Sequence, residues 1–209
     1  MNKSIISLLF LVIYSFGNGY GNYDMKKIAV KNNTNYIIDF KFVQQVTNDL
    51  FHHAANYPIK FDNDNDKKRA KNDTIVLIKL YDMIARDSND IDLLLKAANI
   101  NSIGHNFDIE GAHKNAIYYY EKALSLDGKN PKINYFYGNF LGGSNNVDKA
   151  MLHLKIALNG GIKEANWGIG LIYISKKDNL NALRYLKQYQ ADFPNNSEVT
   201  SIIQVLTKQ

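Results

Sequence analysis

The 209-residue chain has no cysteine, only three prolines and one tryptophan, and no large surplus of either charge. Without cysteine there is no disulfide framework, no thiolate nucleophile and no lipid-modified cysteine, so stability must come from packing. The few prolines, with no succession of turn-separated alternating segments, argue against an all-β fold. The formal net charge is +5, and residues 91–209 carry 13 Lys+Arg against 10 Asp+Glu. So mild a surplus is a solvated surface rather than a nucleic-acid footprint. Beyond the N-terminus, no apolar run approaches the length of a membrane span.

What is present begins with a secretory pattern. Lys3 supplies a positive start, and Ile5 to Phe16 form a 12-residue apolar stretch. At about 1.5 Å per residue that stretch is roughly 18 Å long, too short for a hydrocarbon core of about 30 Å. Ser15-Phe16-Gly17 and Gly17-Asn18-Gly19 place small residues at alternate positions, as cleavage sites require. The expectation is a signal peptide over residues 1–19, a mature chain beginning between Asn18 and Asn22, and a periplasmic or secreted location without a membrane anchor.

Residues 20–73 read as an N-terminal flexible segment and capping helix. Phe42, Val43, Val46, Leu50 and Ala54 follow helical spacing, and Pro58 ends that helix. The run Asp62 to Arg69 reads as a charged linker into a second helix carrying Ala70, Leu77, Ile78, Tyr81 and Ile84. From residue 74 to 209 the pattern is repetitive. Gly104, Ala116, Tyr120 and Ala123 recur 34 residues on as Gly138, Ala150, Leu154 and Ala157. They recur again as Gly170, Ala182, Leu186 and Tyr189. The spacing predicts helix pairs over 91–106 with 110–126, 131–142 with 147–159, and 163–175 with 179–192. A terminal helix over 197–208 closes the chain. Asn130 and Pro131 open one helix, and Asn145-Asn146 offer a cap for another.

These small residues at a 34-residue period resemble the tetratricopeptide family. The short Asn159-Gly160-Gly161 junction is similar to its Sel1-type variant. The resemblance implies an all-α fold, a right-handed solenoid of helix-turn-helix repeats with capping helices. Where that family places Trp or Leu early in the first helix, this chain has Ile100, Asn134 and Asn166. The family's concave positions correspond to Asn101, His105, Tyr135, Asn139, Trp167 and Leu171, which the resemblance makes the partner-binding residues. Amides there can bond an extended peptide backbone, and flat aromatics supply contact area. The family's basic clamp for a terminal carboxylate is reduced to Lys132.

Other chemistry is thinly represented. Asp62, Asp64 and Asp66 have the spacing that opens a calcium loop, but Lys67 and Asp73 stand where Gly and Glu are needed. His52 and His53 point about 100° apart on a helix, and His105, His113 and His153 lie on separate helices. No metal or cofactor is expected. Asp108 and Glu110 beside His105 read as loop and cap residues. With no strand pattern there is no phosphate loop and no nucleophile elbow. In Tyr118-Tyr119-Tyr120, Tyr120 holds the packing position, and the other two are partly exposed or meet a neighbouring helix. The expected function is a non-enzymatic protein-interaction module for a peptide or partner protein. The alternative is a self-assembling homo-oligomer or the regulatory subunit of an exported enzyme.

Overall fold

The computed structural model describes residues 19–32 and 35–208, so the expected signal segment lies outside the described residues apart from Gly19. Among the described residues there are nine α-helices and one two-stranded hairpin. The chain forms two compact units, divided at residues 123 and 124. No helix of the described residues is long and apolar enough to cross a membrane.

The N-terminal unit opens with a turn and a two-stranded ribbon, which corrects the expectation of no strand. Tyr20 is buried, a 3-10 turn spans Met25–Ile28, and β1 (Ala29–Asn32) pairs antiparallel with β2 (Asn35–Ile38). The register sets Val30 opposite Ile37 and Lys31 opposite Tyr36. β-branched Val30, Ile37 and Ile38 with Tyr36 suit a pleated ribbon, a pattern too short to stand out in sequence.

Helix α1 (Phe40–Ala54) is capped by Asp39, which accepts from Phe42 N, and buries Val43, Val46, Leu50 and Ala54. Helix α2 (Asp64–Ala85) begins inside the charged run expected to be a linker. Asn63 accepts from Asp66 N, and Asp64 and Asp66 lie in the first turn, where carboxylates favour the helix dipole. The expected boundary at residues 73 and 74 therefore falls within one continuous helix. α3 (Ile91–Asn106) starts at Asp90, which accepts from Asp92 N and Leu93 N. It packs on α1 and α2. α4 (Ala112–Leu126) follows. Its Tyr119 and Tyr120 are fully buried while Tyr118 is exposed. Tyr119 donates to Asp82 Oδ1 at 2.6 Å and Tyr120 to Asn99 Oδ1 at 2.7 Å.

The C-terminal unit holds α5 (Pro131–Gly143), α6 (Val147–Asn159), α7 (Ala165–Ser175), α8 (Asn179–Asp192) and α9 (Ser197–Thr207). Sequential helices pack on one another, and α5 also touches α7. Glycines permit the close approaches. A Cβ built on Gly138 would lie 2.8 Å from Leu154 Cγ, and one on Gly168 would lie 2.9 Å from Leu154 Cδ1. Leu154 of α6 is thus wedged between α5 and α7. Its complete burial contributes about 1.5–3 kcal/mol. Gly170 approaches Leu186 in the same way, at 2.7 Å from Cδ2. Ala150, Ala157 and Ala182 are fully buried beside these contacts.

The expected cap at Asn145-Asn146 is corrected. Asn146 makes no side-chain capping bond to α6. The pair instead closes α5: Asn145 adopts φ +63°, and Asn146 N donates to Leu141 O at 2.8 Å. The same exit ends α3 at Asp108 (φ +56°), with Ile109 N donating to Gly104 O, and α7 at Lys177 (φ +58°), with Asp178 N donating to Tyr173 O.

Candidate functional site

Four of the six expected partner-binding residues lie in the C-terminal unit, on α5 and α7. Tyr135 and Asn139 are one helical turn apart on α5, and Asn139 hydrogen-bonds the Tyr135 hydroxyl. Burial pushes that phenol upward in pKa, and the nearby Glu164 carboxylate pushes it further. Asn139 is exposed. Its Oδ1 sits over Gly168 of α7, 2.8 Å from where a Cβ would be. Gly168 follows Trp167 in α7 and is buried, so α5 and α7 approach closely at this point.

Trp167 and Leu171 are half-buried and rest on the core of Ala182, Leu186, Val199, Ile202 and Leu206. The Trp167 ring lies 5.4 Å from that of Tyr189, which is 4.7 Å from Phe193. Asn196 Nδ2 donates to the Tyr189 hydroxyl at 3.3 Å. Trp167 therefore packs on the terminal core and stays partly exposed. Asn134, one turn before Gly138, is buried. Its Nδ2 donates to Asn130 O and Gly128 O, and its Oδ1 lies 2.8 Å from His153 Nδ1. It holds the start of α5, where the resembled family places a large apolar residue.

The other two, Asn101 and His105, belong to the N-terminal unit. Asn101 is fully buried, which corrects its assignment to an accessible wall. Its Nδ2 donates to Ala97 O within α3, and its Oδ1 meets no donor among the described residues. α3 is covered around most of its circumference: Leu94, Leu95, Ala97, Ala98, Ile100, Ile103 and Gly104 are all buried with it. His105 is half-buried, its ring edge-on to His113 at 4.7 Å.

A second cluster escaped the sequence reading. The Tyr20 hydroxyl donates to Asp73 Oδ2 at 2.9 Å, and Arg69 donates to Tyr20 O at 3.0 Å. Tyr23 and Gly21 N both donate to Asp49 Oδ2, at 2.7 and 2.9 Å. His53 Nδ1 lies 2.9 Å from Asp49 O, and its ring stacks on Phe61. The Tyr20 ring meets both edge-on. Burial raises Tyr20, Tyr23 and Asp73 in pKa, so both phenols remain donors at neutral pH. The hydrogen-bond partners of Tyr20, Gly21 and Tyr23 lie between 26 and 53 residues away in sequence, and no local spacing announces them.

Among the described residues, no three His, Asp or Glu side chains converge as metal ligands would. Asp66 of the acidic run pairs with Arg69 at 2.7 Å, and Asp73 accepts from Tyr20. Comparison with known proteins finds no matching family model, no matching curated protein and no matching solved structure.

Proposed function

We propose that this chain is an exported, non-catalytic interaction module of the tetratricopeptide-like helical-repeat kind. It holds an extended peptide segment of a partner protein across α5 and α7. The observation that carries the reading is the close approach of α5 and α7, where Oδ1 of exposed Asn139 lies over Gly168, the residue after partly exposed Trp167. On this reading the exposed Asn139 amide bonds the peptide backbone, with Tyr135 one turn away on α5 and Trp167 on α7 as flat anchors. Tyr135 is held by Asn139 and Trp167 by Tyr189, so little side-chain freedom is lost on binding. The stacked helix pairs and the recurrent Gly–Leu crossings support a solenoid as the scaffold.

Selection of random peptides on the purified protein, followed by Trp167→Ala, tests this. Truncating an aromatic anchor should weaken the selected peptides at least about tenfold, equivalent to 1.4 kcal/mol, with little change in the melting temperature. Unchanged affinity in a folded variant would move the binding surface elsewhere, and a collapsed melting temperature would make Trp167 structural.

A further inference from the structure

We propose that the peptide bond between Gly19 and Tyr20 is the processing site, and that the ammonium released on Tyr20 seats the new N-terminus beside Asp62 and Asp66. The proposal rests on the export reading and goes beyond it by naming the bond and its structural consequence. The step is a hydrolysis by an export-pathway endopeptidase that prefers small residues. The C–N bond breaks, the oxygen of water joins the Gly19 carbonyl carbon to give a carboxylate, and the nitrogen of Tyr20 leaves as an ammonium.

The sequence offers two cleavage positions, after Gly17 and after Gly19. The geometry separates them. A Cβ built on Gly19 would lie 3.0 Å from Asp66 Oδ2 and 3.4 Å from Asp62 Oδ2, so two carboxylates converge on this point of the backbone. Asp66 gives its other oxygen, Oδ1, to Arg69. Arg69 in turn donates to the carbonyl of Tyr20. Asp62, just before α2, and Asp66 in its first turn approach Gly19 on the amine side of Tyr20, and the Arg69 guanidinium binds the Tyr20 carbonyl. The Tyr20 side chain is the plug, only 3% exposed, with its hydroxyl on Asp73 and its ring against His53 and Phe61. Tyr23 and Gly21 N fasten the next turn to Asp49. Cleavage after Gly17 would instead leave the ammonium on Asn18, two residues earlier in the sequence.

The same contacts set an order. An endopeptidase needs extended backbone on both sides of the bond, and in the seated state Tyr20 is pinned. Cleavage therefore precedes seating, and seating then protects the new terminus.

Two measurements test the proposal. The full chain is expressed in an exporting bacterium and the N-terminus of the exported product is sequenced; Tyr20 is expected. An exported product that is unprocessed or begins elsewhere overturns the proposal while leaving export intact, and a chain that stays in the cytosol with Met1 intact removes the export reading beneath it. Separately, a chain starting at Tyr20 is compared with one starting at Gly17, which displaces the ammonium by three residues. The Tyr20 chain should melt about 2–4 °C higher, the shift a partly exposed ion pair gives a protein of this size. Asp66→Asn and Asp62→Asn should each narrow that gap, whatever they do to the absolute melting temperature. Equal melting of the two chains, or a gap indifferent to both variants, overturns the seating.

Discussion

Gly138→Ala places one methyl group where α5 crosses α6. The added Cβ would lie 2.8 Å from Leu154 Cγ and 3.1 Å from both Leu154 Cδ2 and Leu154 N. The last is backbone and cannot turn aside. Leu154 is also confined on its other flank, where a Cβ on Gly168 of α7 would lie 2.9 Å from its Cδ1. Overpacking of this kind costs about 1–3 kcal/mol. Replacing a helical glycine by alanine returns about 0.5–1 kcal/mol. The crossing term wins, for a net loss of about 1–2 kcal/mol. Gly143→Ala is the control, since nothing lies within 4 Å of its Cβ and only the favourable term remains. Thermal unfolding followed by circular dichroism should place Gly138→Ala below Gly143→Ala by roughly 4–8 °C, at 2–4 °C per kcal/mol. A cycle with Leu154→Ala sharpens the test. The alanine at 138 should be tolerated better over the cavity, giving a coupling of about 0.5 kcal/mol or more. If Gly138→Ala melts at or above the control, or the cycle is additive, Leu154 is not a wedge between the two helices.

Two ionisable groups give predictions of opposite sign. Burial raises the folded pKa of Asp73 above its unfolded value, so its contribution to stability is lost as pH rises through that range. Asp73→Asn keeps an acceptor for Tyr20 without the buried charge and should melt at or above the wild type at pH 7. Asp73→Ala leaves the Tyr20 hydroxyl buried without its acceptor and should cost about 1–3 kcal/mol by urea denaturation. Asp82 is held low, first by its hydrogen bond from Arg86 and then by that from Tyr119. Its contribution is present above the unfolded value of about 3.9 and fades as pH falls through the lower folded value. In an acid titration of stability, Asp82→Asn should flatten the loss below pH 4, and an unchanged acid slope would count against this pairing.

The helices were legible in the chain because their information is local. Asp39, Asn63, Asp90 and Asn130 each offer a side-chain acceptor to the first turn, and apolar residues recur at three and four positions behind them. Gly138 and Gly170 announced the close crossings, since only a missing side chain lets Leu154 and Leu186 approach so near. The left-handed exits of α3, α5 and α7 were not legible, because Asp108, Asn145 and Lys177 share a conformation and not a side chain.

The candidate face was half legible. Tyr135 and Asn139 fell one turn apart on α5 because helical phase is fixed by residue number. Asn101 has the same kind of address, yet is buried, because exposure depends on how many helices cover α3 and not on its phase. The Tyr20 socket lies at the far end of this scale. Its partners Asp49, Asp73 and Arg69 stand on α1 and α2, up to 53 residues away, and nothing in the Gly- and Asn-rich stretch around Tyr20 marks it as an anchor. The sequence by itself determined which segments are helical and where Gly138 and Gly170 let neighbouring helices approach. Only the tertiary structure decided which polar side chains are buried and paired, because that depends on groups brought together from separate helices after each has formed.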